Sequence, residues 1–393
     1  RNQQQAISLE ETELTSLVTL KAGPLPKDKV PAPLYLVAVL DKSGSMQGSK
    51  MTMLKDTMTR LIVKLRPIDT LTIITYDTQV STLLPPTLMT EESAKNAATL
   101  IEQLRTGSST NLSGGLIEGL SSIPSDLPQN TVVSTLLLTD GHANHGVTSA
   151  SGIISLMNHT WDKENAPTKS AVYTFGYGSD HSSAMLRDIS QAGNGMYYFI
   201  ENGDIISDCF ADVLGGLLSV VAQNIVITIE SEAGVEIKQI FTEYSHTESE
   251  PGKKFRIQLS DIQSDESRDI PILLKIAGAE SACDVDLVNV TVEYFDSVTE
   301  GVCTFVTGLT VPRVAELTAE QQVLDIDIDA QVNRVETCEA LKTAKEFGDA
   351  NKCAEGRAVL NKQIEKIKNS VSAEVPLCVR LLKDMQIALE SME

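Results

Sequence analysis

The segment LYLVAVL at residues 34–40, which ends directly in Asp41, decides the fold. A continuous apolar run of this length, without alternation, is typical of a strand that is buried on both faces of a sheet. A second run of the same kind, VVSTLLLT at residues 132–139, ends in Asp140. Both runs therefore predict buried strands of a mostly parallel sheet.

Outward from these two runs, strand and helix signals alternate from residue 33 to residue 222. Further strands are predicted at 71–76, 171–178 and 196–200. Helices are predicted at 48–65 and near 91–105, 111–123, 148–160, 182–192 and 204–222. This alternation predicts an α/β, Rossmann-like doubly wound domain over residues 33–222, with helices on both faces of the sheet. Ligands of such sheets bind at the carboxyl ends of the strands.

A different pattern covers residues 223–312, where strand-like runs are separated by turns and acidic clusters. The runs occupy 224–230, 235–244, 253–259, 269–276, 285–295 and 302–311. They predict an antiparallel β-sandwich. Residues 7–23 also alternate, so residues 1–32 are expected to supply a first sandwich strand and a proline-rich linker. The α/β domain would then be inserted in the sandwich.

Residues 313–393 are expected to form a helical region. Helices are predicted at roughly 318–346, 350–370 and 374–391. The first begins at a capping box formed by Thr318 and Gln321.

An acidic run near the start of this region resembles a calcium-binding loop of the EF-hand type. Its acidic residues are Asp325, Asp327, Asp329 and Glu336. However, Ala330 stands where the sharp turn of such a loop needs Gly. A solvated acidic face at the start of a helix is the favoured interpretation.

The composition limits the classes of partner. The 393 residues include 32 Lys and Arg against 53 Asp and Glu, which gives a net charge of −21. A charge this negative argues against nucleic acid or an anionic membrane surface as the main partner. No apolar run approaches the ~20 residues of a membrane span, so direct membrane insertion is not expected. Because the chain begins at Arg1 without a signal-peptide pattern, we expect a processed product or an excerpt of a longer protein.

The cysteines give no sign of a metal ribbon or a redox site, because no C-x-x-C pair occurs. The six residues are Cys209, Cys283, Cys303, Cys338, Cys353 and Cys378. Buried free thiols are expected, since a chain of this size does not need disulfides. The lack of a disulfide framework favours the cytoplasm, although the compartment stays open.

Polar residues follow the buried strands at the predicted carboxyl edge of the sheet. Asp41, Ser43 and Ser45 follow the first run, and Asp140 follows the second. Thr110 lies between a glycine-containing loop and a helix. Two carboxylates with several hydroxyls are hard oxygen donors, which suit Mg²⁺ or Mn²⁺, and the carboxylates are too few for a closed calcium cage.

These residues resemble the metal-ion-dependent adhesion site of the von Willebrand factor A domain. The family pattern D-x-S-x-S…T…D is matched by Asp41, Ser43, Ser45, Thr110 and Asp140. The resemblance covers about residues 33–222. It implies that the serines and the threonine bind the metal directly or through water, and the aspartates mostly through water. It also implies a protein partner that presents an Asp or Glu to the metal.

A narrower resemblance includes FGYGSDH at 175–181, the run 194–200 and the run 209–224. These look like the subgroup in which the A domain precedes a β-sandwich and helices, as in plant RING-type ubiquitin ligases and A-domain proteins with a Hint region. No RING cysteine pattern and no Hint nucleophile occurs in this sequence. The resemblance therefore implies the architecture, and we do not expect an enzyme.

Several residues near the motif have two interpretations. Lys42, Met46 and His142 flank it and are predicted to form a partner-binding rim, although exposed loop residues need no such role. His142 and His145 could also contact a soft metal, but an ordinary loop position is favoured because no third ligand is near in sequence. The alternative for the whole protein is a structural scaffold or assembly subunit whose metal site is unused.

Overall fold

The computed structural model describes residues 1–26, 28–163, 166–179, 181–203, 205–242 and 244–392. Asp180, Asp204 and Glu243, which fall within predicted segments, lie outside the described residues. The central sheet contains β2 (Leu34–Asp41), β3 (Thr70–Tyr76), β4 (Val80–Leu88), β5 (Val132–Thr139), β6 (Ala171–Tyr177) and β7 (Tyr197–Ile200). Its strand order is β4-β3-β2-β5-β6-β7, and all neighbours are parallel except β3 and β4.

Helices cover both faces of this sheet, which confirms the α/β fold class. They are α1 (Ser49–Lys64), α2 (Glu91–Glu102), α3 (Leu112–Ser121), α4 (Ala150–Trp161), α5 (Ser183–Ala192) and α6 (Ile206–Leu218). Every residue of β2 and β5 is buried. In β2, Leu36 and Leu40 face the core formed with α1, α2 and α6, whereas Val37 and Val39 face the core formed with α3, α4 and α5. The continuous apolar runs are thus explained by burial on both sides.

The other two sheets are antiparallel and face each other around a second core. One has the order β1-β13-β9, with β1 (Thr12–Lys21), β13 (Ser267–Ile276) and β9 (Val235–Ile240). The other has the order β10-β11-β8-β14-β15, and β12 (Ile262–Gln263) also pairs with β8. Its strands are β8 (Val220–Ser231), β10 (His246–Glu250), β11 (Lys254–Gln258), β14 (Cys283–Asp296) and β15 (Gly301–Arg313). Because β1 pairs with β13, the chain enters the sandwich before it forms the α/β sheet.

Three helices complete the chain: α7 (Ile326–Asp349), α8 (Cys353–Lys368) and α9 (Pro376–Glu390). The predicted capping box forms, since Thr318 and Gln321 exchange hydrogen bonds of 3.0 and 3.3 Å, but only a turn follows it. The predicted helix start is therefore wrong. The helix begins after Asp325, whose side chain accepts hydrogen bonds from the N–H groups of Asp327 and Ile328.

Three other predictions also need correction. The edge strand β4 was not predicted, because Pro85 and Pro86 interrupt its pattern; proline is tolerated there because an edge strand leaves one side unpaired. The last helix of the α/β part ends at Leu218 rather than 222, and β8 begins at Val220. The structure describes all six cysteines and none of them forms a disulfide, but only Cys378 is buried. Among the described residues, no helix is both long and apolar enough to span a membrane.

Candidate metal site at the carboxyl edge of the sheet

The carboxyl ends of β2, β3 and β5 bring three loops together. The N–H of Lys42 donates to the carbonyl of Tyr76 at 2.8 Å, and the N–H of Gly44 donates to the carbonyl of Ser108 at 2.8 Å. The N–H of Asn144 donates to the carbonyl of Thr110 at 3.1 Å. Backbone hydrogen bonds therefore fix the loops against one another. This holds the predicted site residues at one edge of the sheet.

Asp41 is one of the two carboxylates of the site that have no exposed surface. It accepts hydrogen bonds from the N–H of Ser43 (2.8 Å), from Oγ1 of Thr139 (2.6 Å) and from the hydroxyl of Tyr76 (3.3 Å). Burial raises the pKa of Asp41 to about 6; the hydrogen bonds from Thr139 and Ser43 oppose this, and the charge of Asp140 adds to it. Within the described residues, these donors to Asp41 are neutral, so its negative charge has no cation in contact.

Asp140 is equally buried but does contact a cation. Its Oδ2 atom lies 3.1 Å from Nζ of Lys50, which is in the first turn of α1. Its Oδ1 atom accepts a weak hydrogen bond of 3.4 Å from the N–H of His142. The two carboxylates of the site therefore have different electrostatic surroundings.

The predicted hydroxyl ligands differ in their exposure to solvent. Ser43 is buried and Ser45 is exposed, and their Oγ atoms are 3.0 Å apart. Thr110 is buried, and its N–H donates to Oδ1 of Asn144 at 2.7 Å. The loop of Ser43 and Ser45 thus extends from the buried carboxylates towards solvent.

The three predicted rim residues have different positions. Lys42 is half-buried, and its Nζ lies 2.7 Å from Oδ2 of Asp77. His142 is exposed beside Asp140. The prediction of Met46 as a rim residue is wrong: its side chain is fully buried in the core beneath α1, because a 3-10 turn at Gly44–Met46 points it inward.

Sequence reasoning gave no role at the site to three residues that contact the two carboxylates: Tyr76, Thr139 and Lys50. Tyr76 and Thr139 are the last residues of β3 and β5, so the rule that ligands meet strand ends could have found them. Lys50 lies on a helix, and nothing in the sequence indicates its pairing with Asp140.

The von Willebrand factor type A domain model matches residues 36–211. This part of the chain is a von Willebrand factor type A domain. Such domains commonly mediate protein–protein interaction and adhesion, and they often bind Mg²⁺ or Mn²⁺. Its sheet carries the candidate site described above.

Two solved structures share the fold across the whole chain. A von Willebrand factor type A protein from Catenulispora acidiphila has a TM-score of 0.74 at 13% identity, covering 100% of this chain and 87% of that one. The ArnB paralog VWA2 from Sulfolobus acidocaldarius has a TM-score of 0.59 at 18% identity, covering 100% and 96%. At these identities the likeness shows the fold alone.

Three curated relatives are similar in sequence. The E3 ubiquitin-protein ligase WAV3 of Arabidopsis thaliana is 28% identical over 62% of this chain and 31% of its own length. The uncharacterized protein YfbK of Escherichia coli is 26% identical over 67% and 46%, respectively. Human inter-alpha-trypsin inhibitor heavy chain H1 is 24% identical over 56% and 24%. The chain thus spans less than half the length of each relative.

The donor set of the A domain fits a hard divalent cation. The two buried carboxylates supply charge, and the hydroxyls of Ser43, Ser45 and Thr110 supply neutral oxygen donors. The uncompensated charge of Asp41 would be stabilised by a cation beside it. Across the described residues, no group of three or more His, Cys, Asp or Glu could hold a metal ion.

The acidic run on α7 has structural roles. Asp325 caps the helix, and Arg1 pairs with Asp325 and Asp327 at 3.5 and 3.2 Å. Oδ2 of Asp329 accepts hydrogen bonds from both the hydroxyl and the N–H of Ser372, at 2.6 and 3.1 Å. Asp325 and Asp327 thus share Arg1 as a partner, whereas Asp329 binds Ser372, so the run does not form a single three-carboxylate cluster.

Proposed function

We propose that this chain is a divalent-metal-dependent protein-binding module. Ser43, Ser45 and Thr110 would bind Mg²⁺ or Mn²⁺, while Asp41 and Asp140 would balance its charge mainly through water. The observation that carries this proposal is the buried carboxylate of Asp41, which contacts only neutral donors among the described residues. A site that keeps a carboxylate in this state, beneath hydroxyls that lead to solvent, is suited to receive a cation.

The proposed partner is a protein that presents an Asp or Glu to the metal. A bound divalent ion would supply an electrophilic centre at the mouth of the site, and Lys42 and His142 lie beside that mouth. The net charge of −21 does not exclude an acidic partner, because a divalent ion dominates the field at contact distance. Membership of a larger assembly is compatible with this role.

We propose binding rather than catalysis. The activity in the name of WAV3 is not assigned to this chain, since the match covers 31% of that protein. A metal held by hydroxyls and two buried carboxylates needs no turnover to bind an acidic side chain. Turnover that EDTA abolishes would contradict this proposal.

A structural scaffold with an unused metal site is the alternative. It is favoured by the contact of Lys50 with Asp140, which neutralises one carboxylate without any metal. In that case the sandwich and the helices would make the contacts with other subunits.

For either function we propose that the chain is divided into units at 1–32, 33–222, 223–312 and 313–393. The boundary between the A domain and the sandwich is shifted to the start of β8 at Val220.

A thermal melt of the full chain in Mg²⁺, Mn²⁺ or EDTA tests the metal. An ion that binds only the folded state raises the midpoint temperature of unfolding by mass action. We expect this increase in the wild type and not in Asp41→Ala or Ser45→Ala; Asp126→Ala, in an exposed loop, serves as the control. No increase at millimolar metal would refute the metal-dependent function and favour the scaffold.

A further inference from the structure

Lys50 brings a positive charge into the candidate metal site. Its side chain is 13% exposed, and the carboxylate of Asp140, 3.1 Å away, is not exposed at all. Because this pair is shielded from water, its attraction is stronger than that of a surface ion pair. The contact is therefore a significant part of how Asp140 is stabilised.

Lys50 lies at a position on its helix where the helix dipole disfavours a positive charge. α1 begins at Ser49 after Gly48, so Lys50 lies in the first turn, where the helix dipole disfavours a cation. The first turn of α1 contains no acidic residue that could offset this. Asp140, directly after β5, is an acidic contact that offsets this placement.

We propose that Lys50 is a tethered cation that competes with the divalent metal for Asp140 and thereby sets the metal affinity of the site. The inference rests on the proposed function and names a residue that determines its strength. An ammonium group 3.1 Å from Oδ2 of Asp140 and a divalent ion using the same carboxylate repel each other. We infer that this repulsion moves Nζ away from the oxygen when the metal binds.

The two carboxylates would then have separate roles. Asp140 is neutralised by Lys50 in the metal-free protein, so the loops stay folded without metal. Asp41, which faces neutral donors, retains the attraction for a cation. The competition weakens metal binding, so a higher metal concentration is needed to occupy the site.

The test is isothermal titration of the full chain with Mg²⁺ and with Mn²⁺. Lys50→Met removes the charge and keeps the length, Lys50→Arg keeps the charge, and Lys55→Met is the matched control. Nζ of Lys55 donates to the carbonyl of Glu102, away from the site, on the same helix. We expect Lys50→Met to bind metal about tenfold more tightly than the wild type, and the other two variants to match the wild type within about threefold.

Equal affinity in the wild type and Lys50→Met would overturn the competition while leaving the proposed function intact. Weaker binding by Lys50→Met with recovery in Lys50→Arg would also overturn it, since Lys50 would then hold the site in shape. Absence of binding in the wild type and in every variant would remove both the proposed function and this inference.

A second measurement needs no variant and so does not depend on folding of Lys50→Met. Amine-reactive labelling of the wild type, read by mass spectrometry, compares Lys50 with Lys55 in Mg²⁺ and in EDTA. We expect Mg²⁺ to increase labelling of Lys50 at least about twofold, because the ion displaces Nζ from Asp140, and to leave Lys55 unchanged. Unchanged or reduced labelling of Lys50 at saturating Mg²⁺ would contradict the inference.

Discussion

Replacing Asp41 by Asn tests the electrostatic cost of the candidate site. Asn has nearly the same shape as Asp but no charge, so it can keep the acceptor for the N–H of Ser43. Its amide can donate to the hydroxyl oxygens of Thr139 and Tyr76, which now donate to the carboxylate. We expect the variant to be more stable than the wild type in EDTA at pH 7, and to bind no metal.

The magnitude follows from the pKa of Asp41. Burial raises this pKa from its ordinary value of 3.8 to about 6, a difference of about 2.2 pKa units. At ~1.36 kcal/mol per unit, the upper limit of the gain at pH 7 is about 3 kcal/mol. We expect about 1–3 kcal/mol, because the new hydrogen bonds of the amide will be less favourable than those of the carboxylate.

The sign of the pH dependence follows from linkage. The folded protein binds the proton of Asp41 more tightly than the unfolded chain, so the metal-free wild type loses stability as the pH rises from about 4 to about 6. The Asn variant lacks this proton. The difference in free energy of unfolding between the two proteins should therefore be small at pH 4 and reach its full value above pH 6.

The assay is urea unfolding in EDTA at several pH values. Asp77→Asn is a control whose stability should change in the opposite direction. Burial raises the pKa of Asp77, but the hydrogen bonds from Lys42 and from the N–H of Gln79 outweigh burial and hold this pKa below its ordinary value. This variant should lose stability at pH 7. The reasoning would be refuted if Asp41→Asn were less stable than the wild type at pH 7. It would also be refuted if the difference in free energy of unfolding between the two proteins were the same at pH 4 and pH 7. Added Mg²⁺ should stabilise the wild type and not Asp41→Asn.

Further substitutions test a donor to Asp41, two glycines in helices and the cap of α7. Thr139→Val removes a donor to Asp41 and the acceptor for the N–H of Gly141, and should cost about 1–3 kcal/mol in urea unfolding; an unchanged midpoint would contradict the contact. Gly119→Ala should destabilise the protein by about 1–3 kcal/mol, because a Cβ at this position would lie 2.5 Å from the side chain of Val39. Gly215→Ala should stabilise the protein by up to about 1 kcal/mol, because Gly215 lies in α6 and a Cβ there would meet no other atom within 4 Å. Asp325→Ala removes the cap of α7 and should cost about 1 kcal/mol in a thermal melt, more than the exposed neighbour Asp327→Ala.

The fold could be predicted where burial imposed a pattern on the sequence. β2 and β5 are buried on both faces, so their continuous apolar runs indicated strands at the correct residues. β10, with the sequence HTESE, is fully exposed at a sheet edge and carries no apolar signal. The capping box at Thr318 shows another limit: its hydrogen bonds form, yet a turn follows, because a local cap does not decide whether the next residues can bury a helix face.

The residues of the candidate site could be predicted from the ends of the strands, but the charges that surround its two carboxylates could not. The sequence indicated Asp41 and Asp140 because both directly follow buried runs. Their difference depends on which side chains the fold places beside them: hydroxyls at Asp41 and the ammonium of Lys50 at Asp140. The same burial that makes the Asp41 carboxylate costly would strengthen its attraction for a cation, since both effects grow as water is excluded. A variant that gains stability by losing this charge should therefore lose metal binding.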